Sequence, residues 1–262
     1  MREKKTSLVY KLIEGALNAV YPKMEILGWE HLPDEPLILV GNHCQMHGPI
    51  AAQLRIPGEG YIWCAWQMME LRQVPAYAYA DFWSRKPLYC RWFFRLLSYA
   101  VAPLCVCIFN NARTVPVYHD ARLVTTFRRS IEKLSEGKNI IIFPEHDVPH
   151  NHIISDFQDK FVDVARLYYR KTGKAPVFVP MYISPALRKI CFGAPLRYCP
   201  ENSAPAERRR LCERLMEEIT EMACALPRHR VVPYNNIPRR RQGVNKNEET
   251  AGRTEGIQTF PN

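Results

Sequence analysis

The chain has 262 residues, 47% of them hydrophobic, which suffices to bury a sizeable core in one large domain. Its nine cysteines follow no regular spacing, which argues against a disulfide framework and for reduced thiols in a cytoplasmic compartment. A net charge of +10 calls for an anionic partner; without zinc-finger spacing, ribonucleoprotein aromatics or a clear helix-turn-helix, that partner is a membrane surface or a phosphorylated substrate rather than nucleic acid.

Leu8, Val9, Leu12, Ile13 and Leu17 recur at helical spacing around Lys11 and Glu14, so residues 1–23 are expected to form an N-terminal amphipathic helix and not a signal peptide. Residues 37–41 (LILVG) follow a Pro33–Pro36 turn and predict a buried strand, and residues 61–64 a second one. Residues 65–110 mix helical spacing with prolines at 75, 87 and 103, which predicts short helices. The uncharged stretch between Arg95 and Arg113 contains Ser98 and Pro103 and falls short of a membrane span; it predicts a buried or interfacial segment. Tyr89, Arg91, Trp92, Phe93, Phe94 and Arg95 suit a membrane interface, while core packing explains the aromatics equally well.

A strand is expected over 114–117, then a helix capped by Asp120 with Leu123, Val124, Phe127, Ile131 and Leu134 on one face, ended by Gly137. Residues 139–143 (NIIIF) predict a buried strand running into Pro144-Glu145. A helix from Phe157 to Tyr168, a strand over 176–183 and a helix over 205–226 complete an α/β chain: a mostly parallel sheet flanked by helices, one domain spanning 24–227. The tail 228–262 carries Arg239-Arg240-Arg241 among polar residues and is expected to be basic and disordered, with the arginines able to touch anionic lipid.

His43 follows the first buried strand, and Glu145 follows the 139–143 strand behind the rigid Phe143-Pro144 turn. The carboxyl ends of parallel strands line a shared crevice, so both stand where chemistry is done in such sheets. His43 and His47 are also spaced to share a helical face, with His146, His150 or His152 as further ligands, but no Glu stands beside the first histidine and no metal is expected.

Across roughly residues 24–200 the chain resembles the lysophospholipid and glycerol-3-phosphate acyltransferase family, the 1-acyl-glycerol-3-phosphate acyltransferases among them. Gly28-Trp29-Glu30-His31-Leu32-Pro33 looks like the family's lead-in, Asn42-His43 its first block, Phe143-Pro144-Glu145 its third, and Ala175 to Met181 its fourth. The resemblance implies that His43 removes the proton of an acceptor hydroxyl, which attacks the thioester of acyl-CoA or acyl carrier protein; these are co-substrates, and no cofactor is expected. It places Asn42, Phe143, Pro144 and Glu145 at the substrate site and offers Arg113 or Arg122 for the phosphate of a lysophospholipid or related glycerolipid.

It further implies a cytoplasmic protein, peripheral on the inner face of the membrane. The first block departs from the family at Gly48, where an Asp would orient the imidazole. The expected replacement is Asp147, with Glu145 and Asp81 as other carboxylates; a backbone carbonyl could instead orient the ring. The alternative function is a catalytically impaired homologue that binds lipid or acyl carrier.

Overall fold

The computed structural model describes residues 7–84 and 86–246. In chain order the elements are helix α1 (Leu8–Val20), strands β1 (Glu25–Leu27) and β2 (Leu37–Gly41), helix α2 (His47–Arg55), strand β3 (Gly60–Ala65), and helices α3 (Val74–Ala78) and α4 (Arg91–Asn111). Strand β4 (Thr114–Val117), helix α5 (Leu123–Ser135), strands β5 (Asn139–Ile142), β6 (Glu145–Pro149) and β7 (Ser155–Phe157), and helix α6 (Asp163–Thr172) follow. Strands β8 (Val177–Ser184), β9 (Lys189–Phe192) and β10 (Leu196–Arg197) and helix α7 (Ala204–Ala225) complete the set.

Every residue of β2 and β8 is buried, as expected for strands covered on both faces. They lie at the centre of an eight-stranded sheet in the order β1-β9-β8-β2-β5-β3-β4, with β10 beside β8. The run β8-β2-β5-β3-β4 is parallel throughout, and β9 and β10 are antiparallel to β8. The expected mostly parallel sheet flanked by helices is therefore present. Val40 lies opposite Ile142 and Pro180, so β2 and β5 end at one level and deliver their following loops to one rim.

Side chains alternate between two cores. Ile38, Val40, Ile140, Ile142 and Phe178 pack with residues of α5, α6 and α7 on one face; Leu39, Ile141, Val179 and Met181 pack with Ala51 and Ala52 of α2 on the other. Each fully buried aliphatic side chain contributes about 1.5–3 kcal/mol. Helix α5 buries Phe127, Ile131 and Leu134 and ends at Gly137, whose φ of +81° needs a residue without Cβ.

Asp120 does not cap α5, which starts after Arg122 with no side-chain cap bond, and Val124 is exposed. Three larger expectations also fail. The segment 65–110 holds, besides short helices, the 21-residue α4, which runs through Pro103. By length and composition Leu88–Asn111 is apolar enough to cross a membrane. Packing of Ala102 against Met68, Val74 and Ala78 supports the helix where Pro103 removes a backbone bond. Its other faces are open: only Ser98 and Ala102 are buried, while Leu88, Trp92, Leu96 and Tyr99 are exposed. Helix α1 packs beside it with Leu8 and Leu12 exposed as well.

The helix expected from Phe157 begins at Asp163, because Phe157 instead pairs with Glu145 in the β6-β7 hairpin. The third failure is the tail. Residues 228–246 pack onto the domain, with His229, Val231 and Asn245 buried; residues 247–262 lie outside the described residues. Asn245 Nδ2 donates to the carbonyls of Ala223 and Leu226 at 2.8 and 3.1 Å, satisfying groups that the end of α7 leaves bare. Asn245 Oδ1 accepts the His229 N–H at 2.8 Å, and Val231 N–H reaches the Gly243 carbonyl at 3.0 Å. The two limbs are thus joined, and residues 232–242 form a closed Ω-loop.

Candidate functional site

Asn42 is the anchor of the β2 rim. Its Oδ1 accepts the Ile183 N–H at 2.8 Å and its Nδ2 donates to the Ile183 carbonyl at 3.1 Å, fixing the end of β2 to β8. Cys44 and Gln45 then adopt φ of 48° and 57°, left-handed conformations that cost a residue with Cβ about 1–3 kcal/mol each. This strained pair turns the chain so that Gly48 N–H reaches the His43 carbonyl at 3.0 Å and α2 begins. A Cβ at Gly48 would stand 2.3 Å from that oxygen, so the position tolerates only glycine in this backbone.

Glu145 closes the site from below. One carboxyl oxygen accepts the backbone N–H of His43 at 2.5 Å and the other that of Ser155 at 2.8 Å. Its surroundings are so enclosed that burial lifts its pKa from 4.5 to about 7, outweighing two N–H donors that favour the ionised form. The same enclosure lowers the His43 pKa from 6.5 to about 4, with the Gln45 backbone opposing. His43 keeps one partly exposed edge, but its Nδ1 is buried without a hydrogen-bond partner. The ring is held by two edge-to-face contacts, with Phe143 at 5.5 Å and 71° and with Tyr234 at 5.5 Å and 80°.

The Asp147 expectation is corrected on this point. Asp147 is exposed on β6, and neither it nor Glu145 nor Asp81 hydrogen-bonds Nδ1; besides burial, the group that acts on the ring is the Gln45 backbone. Along β6 Glu145 is buried, His146 half-buried and Asp147, Val148 and Pro149 exposed, so the hairpin leaves the core after its first residue. Glu145 is spent on the backbone of the His43 loop, and Pro144 is buried with its carbonyl taken by Gln158 N–H at 2.9 Å.

Arg113 and Arg122 part company. Arg113 precedes Thr114 at the amino end of the edge strand β4, away from the rim, and its guanidinium donates to the Gln53 carbonyl at the far end of α2. Arg122 follows the carboxyl end of β4 and so stands on the rim side, stacked over Trp66 and Tyr118 at 4.3 and 4.5 Å and ion-paired with Asp120. Cys44, though next to His43, turns its thiol inward to the Ile183 carbonyl at 3.2 Å; burial raises its pKa, and it is no nucleophile. Among the described residues no three His, Cys, Asp or Glu side chains converge as a metal site would require.

Sequence reasoning missed Tyr234 and Asn235, whose carbonyl accepts from Gln45 Nε2 at 3.1 Å. The signal available was the short apolar run Val231-Val232-Pro233-Tyr234 inside a polar tail, too brief to oppose the composition around it.

No family model matches the chain, and no curated protein matches it. Among solved structures it is similar to the crystal structure of the 1-acyl-sn-glycerophosphate (LPA) acyltransferase, PlsC, from Thermotoga maritima, at 21% identity and a TM-score of 0.44 over 87% of this chain and 85% of that one. So distant a likeness assigns no residue a role.

Proposed function

We propose that the protein is an O-acyltransferase that moves an acyl group from acyl-CoA or acyl carrier protein to the hydroxyl of a lysophospholipid or related glycerolipid. The observation that carries this reading is His43. It is neutral at physiological pH and clamped through its backbone by Glu145, so the Asn42-His43 and Phe143-Pro144-Glu145 blocks meet at one rim. His43 takes the hydroxyl proton as the oxygen attacks the thioester carbon; the carbon–sulfur bond then breaks, and the proton passes to the departing thiolate. Arg122 is the rim-side cation for the acceptor's phosphate. The exposed apolar faces of α4 and α1, with Arg91 and Arg95 beside Trp92 and Leu96, lie in the interface of an anionic membrane, because α4 keeps one face on α3. The cytoplasmic, inner-leaflet location expected from the sequence belongs to this reading.

The test is acyl transfer by the full chain to lysophosphatidic acid from long-chain acyl-CoA or acyl carrier protein. His43→Ala should lower the rate about 10²–10⁴-fold. Full activity in that variant, or no transfer by the wild-type protein from either donor, overturns the proposal. The unpartnered Nδ1 favours a second reading, a lipid- or acyl-carrier-binding protein without turnover, which saturable binding without transfer would establish.

A further inference from the structure

The missing Asp leaves a physical problem. For Nε2 to act as base, Nδ1 must carry the ring proton; among the described residues no side chain accepts it, and the one backbone group that favours the protonated ring, that of Gln45 in the strained turn, makes no full hydrogen bond to it. Gly48 cannot supply one without moving the His43 carbonyl. The closest contacts of the ring that the structure gives are aromatic, edge-to-face with Phe143 and Tyr234. Phe143 belongs to the sheet rim, whereas Tyr234 is brought from the far end of the chain by the 232–242 loop.

That loop is built to stay in place. At its base His229 bonds Tyr182 Oη at 2.8 Å through Nε2, and Asn245 ties both limbs to the end of α7. At its tip the Asn235 carbonyl accepts from Gln45, in the strained turn next to His43. We infer that Tyr234 is a positioning residue for His43: its edge-to-face contact, held by the C-terminal loop, does the orienting work for which no carboxylate is present. This deepens the acyl-transfer reading and rests on it.

The ionisable groups around His43 are the Glu145 carboxyl at its backbone N–H, the Cys44 thiol beside it and the Tyr234 phenol. Burial, with Asp81, Asp147 and Glu145, raises the Tyr234 phenol, and burial, with Arg239 from the same loop, holds His47 below its ordinary pKa. Removing the Tyr234 ring opens His43 to water without removing any of its charged neighbours.

The experiment compares full-length wild type, Tyr234→Ala, Tyr234→Leu and Tyr234→Phe by NMR titration of the His43 ring and by kinetics of acyl transfer. In the Ala variant, which opens the site to water, the His43 titration should rise from about 4 toward its ordinary 6.5, while in Leu, which keeps the burial, it should move little. Their kcat should fall about five- to tenfold with KM little changed, the worth of one aromatic pair. Tyr234→Phe, which keeps the ring edge, should match wild type in both. Leu keeps most of the packing volume, so it decides the matter if Ala unfolds the loop. Unchanged titration in Ala, or transfer by Leu as fast as or faster than wild type, overturns the inference; faster transfer would make the loop a cover over the site. If wild type transfers nothing, the acyl-transfer reading fails, and the titration alone still shows whether Tyr234 holds the ring.

Discussion

At the scale of single residues, Gly48 shows that a missing group can be a packing requirement. The turn made by Cys44 and Gln45 brings the His43 carbonyl to where a Cβ at position 48 would stand, with the Asn42 carbonyl 3.0 Å from the same point. Placing an Asp at the position where the resembled acyltransferase block has one, with Gly48→Asp, is therefore expected to damage the site. The chain must move two backbone carbonyls or lose the Gly48–His43 bond, a cost of about 1–3 kcal/mol. In a chain of this size that is a fall of about 2–10 °C in Tm with no gain in transfer. Thermal denaturation and a rate measurement on the variant check it. A variant as stable as wild type and faster would show that the turn can open to seat a carboxylate.

At the scale of elements, α4 carries the molecule's oddest surface. Leu88, just before it, and Trp92, Leu96 and Tyr99 on it are 63–76% exposed, and no described residue covers them. Replacing Trp92 and Leu96 together with Glu should leave the circular dichroism spectrum unchanged, since both side chains point away from the core. It should weaken binding to vesicles of phosphatidylcholine with a third phosphatidylglycerol at least tenfold, each lost apolar side chain being worth more than about 1 kcal/mol. Transfer to a vesicle-borne acceptor should fall in parallel, and transfer to a short-chain, monodisperse acceptor should persist. Vesicle binding equal to wild type would rule out α4 as the docking face.

The same helix marks where the sequence stops being legible. The strands β2, β5 and β8 announce themselves as short apolar runs between turn residues, and their level ends place His43 and Glu145 together. Pro103 hides α4, because local propensity ends a helix there while packing of Ala102 on α3 carries it through. The tail is hidden for the opposite reason: its composition is that of a disordered segment, and two residues, His229 and Asn245, supply the bonds that order it through 246. Short-range pattern cannot reveal a loop whose partners lie at the end of α7 and in the turn after β2.

At the scale of the whole molecule, His43 and Glu145 impose opposite pH dependences on folding. Glu145 has a pKa of about 7 in the folded protein against 4.5 ordinarily, so the folded state holds its proton longer than the unfolded chain does. Its contribution is fully present below about pH 4.5 and is lost as pH rises through 7. His43 stands at about 4 against 6.5, so the unfolded chain takes up a proton first; its contribution is present above pH 6.5 and is lost as pH falls through 4. Between about pH 4.5 and 6.5 the two slopes, each about 1.4 kcal/mol per pH unit, cancel. Removing either group should uncover the other. In Glu145→Gln, stability relative to wild type should fall by about 3 kcal/mol as pH drops from 6.5 to 4.5. This comes on top of a pH-independent loss of about 1–3 kcal/mol, because the amide NH₂ meets an N–H where a carboxyl oxygen had accepted one. In His43→Phe, which keeps the bulk that buries Glu145, relative stability should instead fall by a similar amount as pH rises over the same window. Urea unfolding midpoints of the three proteins between pH 4.5 and 8 check both signs. Parallel curves would show that the two groups titrate in the folded protein as they do in water, and that the enclosure of the rim is looser than its geometry indicates.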